Sequence, residues 1–518
     1  MKNLKRLSVT LSIILGVGLY FLYTELTTSE VVIVHTNDVH GHILPLDDIG
    51  GSVVLSNFLS KCTSSSRKTQ KKPYLLLDAG DVFQGTPEGD IDNGEVVIKI
   101  MNELGYDAMA IGNHELSKGQ KQLKKLAQLA NFPMLGANII DKKSNKIADW
   151  LKPYCIKEIG GVKVGILGIT TSAMVYLTMP EVRKGLEFQK EVDIAKKYIP
   201  ELKQKADVIV ALTHIGLSKN ATKDDVFLAQ NTDGIDIIIG AHSHTFLEKP
   251  IMVKNTMIVQ AGCYGKSVGK ITLKTKNKKV VSAKYELIQL DKKKFGEDKK
   301  LKKIIENLTK DVSKKMESVI GLSAQMLLHS ASGELSRNGE IPLGNWQADV
   351  FRKTTNSDIA FQNAGGIRAD LPKGKITLRH IYELAPFDNT IFTMKLTGLQ
   401  IKKILERSVS SKFGMLQVSG LKFKYDRNKK KGDRVTEIIV GDSTPIVSGT
   451  QINPKKYYKV AVNSFVAKGG DKFNIFKHGK EICDTGIIDR DAQALYVKKY
   501  SPIKAQIEGR IVNVTPEK

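Results

Sequence analysis

Cysteine is scarce in this chain. Four residues in 518, Cys62, Cys155, Cys263 and Cys483, cannot staple a disulfide-built scaffold. None stands in a C-x-x-C pair, which excludes a thiolate zinc finger or an iron–sulfur cluster. Sequence separation leaves a Cys155–Cys263 pairing open. Acidic residues are also outnumbered, 54 against 79 Lys and Arg, for a net charge of +25. A surplus of that size invites a nucleic-acid reading, and its distribution argues against one. Residues 270–315 hold 16 Lys and 6 acidic residues, with Tyr285 and Phe295 as the aromatics. A nucleic-acid platform interleaves aromatics or arginine with its charge. The expectation is a solvated basic face beside anionic envelope material or nucleotides, with no specific nucleic-acid partner.

Long hydrophobic runs are missing too, save one. Lys2, Lys5 and Arg6 precede residues 7–24, an 18-residue stretch with no charge. At 1.5 Å per residue it reaches about 27 Å, close to the ~30 Å hydrocarbon core of a bilayer. Cations, then an apolar run, then a polar segment is the order of an export signal whose N-terminus stays in the cytoplasm. No small-x-small cleavage site lies between Tyr23 and Val31, which favours an uncleaved inner-membrane anchor over a cleaved signal. No cysteine follows the run, so a lipoprotein anchor is excluded. The rest of the chain is expected outside the cytoplasm, in the periplasm or at the cell surface.

Hydrophobic content of 41% supports a folded core, and 518 residues exceed one ordinary domain. Short Val-, Ile- and Leu-rich runs at 31–35, Tyr74–Asp78, 108–111, 162–169, 208–213, 235–240 and 257–261 read as buried strands with helices between several of them. This α/β pattern places functional sites at strand C-terminal ends. Residues 61–72, rich in Ser and Lys, read as a solvated loop. Residues 291–318 carry Leu301, Ile304, Ile305, Leu308 and Val312 on one helical face and read as a linker helix. A new pattern begins near 323, with strands at 358–362, 390–396 and 459–463 and a helix over Gly398–Val409. The division is 1–30 signal or anchor, 31–290 metal domain, 291–320 linker helix and 321–518 substrate domain.

The strand ends carry the chemistry. They read His35-Thr36-Asn37-Asp38-Val39-His40, then Asp78-Ala79-Gly80-Asp81, Gly112-Asn113-His114-Glu115, Thr213-His214 and Gly240-Ala241-His242-Ser243-His244. Of only ten histidines in the chain, His35, His40, His114, His214, His242 and His244 fall here. D-x-H and H-x-H let two side chains on one short loop reach a single centre. Imidazole, carboxylate and amide donors without thiolate suit Zn²⁺, Mn²⁺, Fe or Co²⁺. At least seven donors exceed what one ion takes, so two divalent cations are expected.

This set resembles the calcineurin-like metallophosphoesterase superfamily, whose pattern is D-x-H, G-D, G-N-H-[DE], a lone His and G-H-x-H, the last here with Ala241 inserted. The resemblance implies a four-layer αββα sandwich. It implies Asp38, His40 and His244 on one metal, Asn113, His214 and His242 on the other, and Asp81 bridging them. His114 matches the family's transition-state histidine. An activated water would attack phosphorus while the cations clamp the phosphoryl oxygens.

Further on, Asn363-Ala364-Gly365-Gly366-Ile367-Arg368 makes a tight turn with a cation at its edge, suited to anions. Phe387 lies in Ala385-Pro386-Phe387-Asp388, and Phe465 precedes Gly469-Gly470-Asp471. With the metal set, these resemble the 5′-nucleotidase family over about residues 30–515. The resemblance implies a C-terminal α+β nucleotide domain, with Arg368, Asn363 and Arg337 as phosphate or ribose contacts. Phe387 and Phe465 would sandwich the base, and Asp471 would accept from the ribose. The implied activity is hydrolysis of nucleoside 5′-phosphates, extending to UDP-sugars or nucleoside di- and triphosphates. A 2′,3′-cyclic nucleotide phosphodiesterase with 3′-nucleotidase activity ranks lower, because those relatives carry Tyr where Phe465 stands. A weakly active nucleotide-binding receptor or adhesin is the reading from another class. One departure matters: the family reads G-N-H-E-[FL]-D, and Ser117 stands at the Asp that orients the catalytic histidine. The expectation is that Ser117, or a carboxylate such as Glu115, holds the His114 ring and that Ser117→Asp raises turnover.

Overall fold

The structure, a computed structural model, describes residues 28–64, 74–218, 224–277, 279–329, 339–411, 413–441, 444–448, 451–452 and 456–516. The apolar run at 7–24 and Arg337 lie outside the described residues. Among those described, no helix is long and apolar enough to cross a membrane.

Two six-stranded sheets form the first half. In one, Thr28–Thr36, Tyr74–Asp78, Ala108–Ala110 and Met134–Leu135 run parallel. The antiparallel hairpin of Ser267–Lys276 and Lys279–Gln289 extends it beyond Thr28–Thr36. In the other, Val162–Thr170, Val208–His214, Ile237–Ile239 and Thr256–Val259 run parallel between antiparallel edges Tyr154–Ile159 and Ile251–Val253.

The period-two alternation of each strand sorts its side chains into layers. Val31, Ile33, Leu75 and Leu77 meet Val208, Val210, Leu212 and Ile237 between the sheets. Val34, Leu76 and Met109 point outward under helices Ser52–Ser64 and Glu95–Leu104. Ile209, Ala211 and Ile238 point outward under Glu191–Lys205 and Asp225–Asn231. Each fully buried Leu or Ile contributes roughly 2 kcal/mol of transfer free energy. Helix, sheet, sheet, helix is the αββα order expected. Parallel pairing places His35 through Thr36, Asp78 and His214 at the same end of their sheets.

The second half has two five-stranded sheets. One of them runs Gln417–Ser419, Ile359–Gln362, Tyr457–Asn463, Thr390–Thr397, Lys480–Ile488. Ile359, Phe361, Val460 and Val462 face one core with helix Gly398–Val409. Ala360 and Ala461 face the other with helix Pro342–Thr355.

Two expectations change. Helix Ser52–Ser64 runs into the stretch read as a loop, because Cys62 packs on the first core; residues 65–73 lie outside the described ones. The linker is two helices, Lys292–Phe295 and Lys299–Met316, broken at Gly296 and capped by Asp291 and Asp298. Its longer helix is a buttress of the first unit rather than a free connection. Leu301 and Ile305 enter the first core, Thr309 is buried, and Leu308 is exposed. Cys155 and Cys263 are not joined in a disulfide, which closes that question.

A clasp joins the halves. Arg379 Nη1 and Nη2 donate to both oxygens of Glu88, each at 2.6 Å, and its Nε donates to Glu317 at 2.7 Å. Ser313 Oγ donates to Glu88 as well, at 2.7 Å. Tyr382 donates to Asp90 at 3.1 Å, and Lys118 pairs with Asp388. Glu88 is buried. Burial alone would raise its carboxyl, yet Arg379 and Ser313 hold it below the usual 4.5. Arg379→Met leaves that buried carboxylate with Ser313 as its remaining side-chain donor and should destabilise by about 3 kcal/mol. Arg379→Met with Glu88→Gln should recover most of it. A depressed carboxylate contributes stability above its unfolded pKa and loses it as pH falls. Urea melts should therefore show the full gap between wild type and Arg379→Met at pH 7, shrinking below 4.5. Equal gaps at both pH values would refute the assignment.

Candidate metal centre

Five loops at strand ends converge on one cluster. Asp38, His40, Asp81, His242 and His244 all have φ between +49° and +70°. Such backbone is costly for residues other than glycine and persists where the surroundings over-determine it. The surroundings here are main-chain bonds: Asp38 N to Gly80 O, His40 N to Asp81 O and Tyr264 N to Asp38 O, all 2.8–2.9 Å. The Asp38 carboxylate accepts from His242 N at 3.0 Å and Asn37 Nδ2 at 2.8 Å. A Cβ at Gly112 would stand 2.2 Å from Asp81 Oδ1, so only glycine fits there.

The donor atoms group into overlapping sets. Asp38, His40 and His244 form one, Asp81, His214 and His242 a second, and His40, Asp81 and His114 a third, each within 4.8 Å. His40 Nε2 lies 3.0 Å from His244 Nε2, and His244 Nε2 lies 3.5 Å from Asp38 Oδ1. Asp81 Oδ2 lies 3.1 Å from His214 Nε2 and 3.9 Å from His40 Nε2. Asp81 thus belongs to both sides.

Two buried atoms test whether cations fit. Asn113 Oδ1 has no hydrogen-bond partner among the described residues, and His214 Nε2, although near Asp81, is out of line for one. Buried polar atoms left unpaired are costly, and here both are good metal donors. The far sides of the rings are held in the manner of metal ligands: His40 Nδ1 by Gln84 O at 3.2 Å, His214 Nδ1 by Ala79 O at 2.8 Å. The residues fit two divalent ions.

Electrostatics agree. Burial holds His40 and His244 well below 6.5, with neighbouring imidazoles and Arg368 adding to it, and takes His242 down to about 3. Burial would raise Asp81, but His214, His114 and His40 keep it well below the usual carboxylate range. Burial pushes Asp38 up to about 7. Burial would lower His214, but Asp81 raises it to about 10; the neutral imidazoles of His40, His242 and His244 beside buried carboxylates are donors a divalent cation takes. His35 stands apart. It is buried over Gly269 and against Tyr285, both ring nitrogens unpartnered among the described residues, and joins no donor set there.

The ring of His114 is not held as expected. Ser117 Oγ donates to the His114 main-chain carbonyl at 2.7 Å. Glu115 is engaged by the main-chain N–H groups of Asp81, Val82 and Gly112 at 2.7–2.9 Å. Gln84 Oε1 lies 2.6 Å from His114 Nδ1. Sequence reasoning passed over Gln84; its only signal was its place three residues after Asp81.

The C-terminal half brings its own groups to the cluster. The Arg368 guanidinium lies 5.9 Å over the Phe387 ring, and its charge helps keep His40, His114, His242 and His244 neutral. Phe387 stacks on His114 at 5.8 Å. Asn363 donates to Asp471 at 2.9 Å and accepts from Asn463 at 2.8 Å. Burial pushes Asp471 up to about 6. Phe465, half-buried, lines a cavity of about 200 Å³ with Tyr176, Arg183, Lys468 and Lys477. Phe387 is therefore at the metal cluster, while Phe465 is at this neighbouring cavity. Arg407, which no motif announced, donates to Asp471 O at 3.0 Å.

Comparison with known proteins follows the same division. The family model of calcineurin-like phosphoesterases matches residues 31–246, and that of the 5′-nucleotidase C-terminal domain matches residues 319–478. The chain is 30% identical over 530 residues to the snake venom 5′-nucleotidase of Gloydius brevicauda, covering 93% of this chain and 88% of that one. It is 30% identical over 533 residues to the trifunctional nucleotide phosphoesterase protein YfkN of Bacillus subtilis, spanning 94% of this chain but 35% of that protein. Among solved structures it is similar to a 5′-nucleotidase precursor from Thermus thermophilus, with TM-score 0.84 and 30% identity over 94% of this chain and 100% of the other.

Proposed function

Because the chain belongs to the 5′-nucleotidase family of metal-dependent phosphoester hydrolases, we propose that it cleaves nucleoside 5′-phosphates to nucleoside and phosphate. The observation that carries the reading is Arg368, a C-terminal cation set against the histidines of the N-terminal metal cluster. A phosphoryl group is the anion that both would hold.

Asp38, His40 and His244 would hold one divalent ion and Asn113, His214 and His242 another, with Asp81 beside both; bound there, such ions would supply Lewis-acid polarisation and acidify the attacking water. Arg368 offers a planar fork to two phosphoryl oxygens. His114, beside Asn113, meets the oxygens that gain charge in the transition state. Asn363 and Asp471 take the ribose, and Phe465, at its own cavity, takes the base. Residues 31–290, joined by Arg368, thus serve the phosphoryl group, and the rest of 321–518 the nucleoside. The N-terminal segment supports export, with residues 7–24 as anchor or signal.

The test is phosphate release by the purified chain with Mn²⁺ or Zn²⁺ from AMP, UMP, ATP, UDP-glucose and 2′,3′-cyclic CMP. Release from AMP and UMP is expected. No release from any of them, with two metals bound, would overturn the proposal, and release from the cyclic nucleotide alone would move it to phosphodiesterase. Phe465→Ala should raise KM for AMP about tenfold, the equivalent of ~1.4 kcal/mol of base stacking, and leave that for p-nitrophenyl phosphate within about twofold. Equal effects would remove Phe465 from the base site.

A further inference from the structure

We infer that Gln84 is the positioning residue that fixes the His114 ring for the reaction. The inference rests on the phosphohydrolase reading above for its kinetic arm only. Gln84 Oε1 accepts from His114 Nδ1 at 2.6 Å, and both side chains are buried. The rest of the ring is boxed: His40 meets it edge-on at 4.8 Å and Phe387 covers a face at 5.8 Å. Its Nε2 lies 3.7 Å from Asp81 Oδ2. Nδ1 is the one ring position through which a hydrogen bond sets the tautomer and leaves Nε2 facing the reacting groups.

Gln84 is itself well held. Its φ is +69°, its N donates to Asp90 Oδ1 at 2.8 Å, and its carbonyl accepts from His40 Nδ1 at 3.2 Å. One residue thus orients two histidines, His40 through the main chain and His114 through the side chain. Replacing the side chain leaves the His40 contact in place, so metal loading and ring positioning separate.

The choice of an amide has a physical reason. Asp38, Asp78, Asp81 and Glu115 are already buried here. A further carboxylate at Nδ1 would add another buried negative charge, whereas an amide oxygen orients the ring without one. The role that the family's Asp plays from the position of Ser117 has moved to another loop.

The test uses Gln84→Met, close in shape without an acceptor, and Gln84→Ala in the Mn²⁺-loaded protein. kcat for AMP should fall about 10–100-fold with KM within about threefold. Two metals per chain and the melting temperature should be kept. A fall below about threefold, or one matched by lost metal, overturns the inference. Ser117→Asp alone should leave kcat within about threefold because Nδ1 is already engaged; a tenfold rise overturns it. The second readout needs no turnover. Histidine ¹⁵N spectra of the metal-free protein, with His114 assigned by its loss in His114→Asn, should show the Nδ1–H tautomer in wild type and a shift toward Nε2–H in Gln84→Met. An Nε2–H wild type overturns the inference. If the wild type releases phosphate from no nucleotide, the function is wrong and the tautomer still decides Gln84.

Discussion

Asp81→Asn should abolish phosphate release, by about 10³-fold or more. The substitution keeps volume and keeps an oxygen for the main-chain N–H of His114, which Asp81 Oδ1 accepts at 2.8 Å. It removes the charge that His214, His114 and His40 all face at 3.1–3.9 Å. Among the described residues, Asp81 is the one carboxylate that stands in two of the three donor sets, so its loss should weaken both ions at once. Metal analysis of the dialysed variant should find one ion or fewer per chain. An active variant holding two would show that the bridge is elsewhere. Circular dichroism should be unchanged, because the donor loops are held by main-chain bonds that this substitution leaves intact.

Arg368→Ala is the second large effect. Arg368 is one cation set against a cluster of imidazoles held neutral, and no other residue of its turn, Asn363 through Ile367, carries charge. Loss of a guanidinium that forks onto a phosphoryl group should lower kcat/KM for AMP about 10²–10³-fold, with metal content intact. Arg368→Lys should recover less than a tenth of that, since a point charge cannot reproduce the fork or lie over the Phe387 ring at 5.9 Å. A loss of only a few fold would place the phosphoryl group away from Arg368.

Much of the fold was legible where local and tertiary preferences agree. Tyr74–Asp78 is buried on both faces, so it reads as one apolar run with polar ends. Gly398–Val409 has a capping box, Thr397 with Gln400, that marks its start. The hairpin Ser267–Lys276 and Lys279–Gln289 was not legible. Its outer strand is mostly exposed, and its partner Thr28–Thr36 is far away in the chain. Its exposed lysines, Lys274, Lys279 and Lys284, lie on the solvent side of a sheet edge, which charge protects from further pairing.

The sequence by itself determined which candidate donor groups meet at one end of the sheets. Ligand identity is written in a few residues, and a parallel strand delivers whatever follows it to the same end of the sheet, so Asp38, His40, Asp81, Asn113, His214, His242 and His244 could be grouped from order alone. Tertiary structure alone decided what holds those groups. Gln84 reaches His114 across 30 residues, and Arg379 reaches Glu88 across 291. Ser117 turns to the main-chain carbonyl of His114 instead of the ring, and His35 turns into the core. A hydrogen bond depends on ångström-level direction between segments that no spacing encodes, and so the donors were readable and their supports were not.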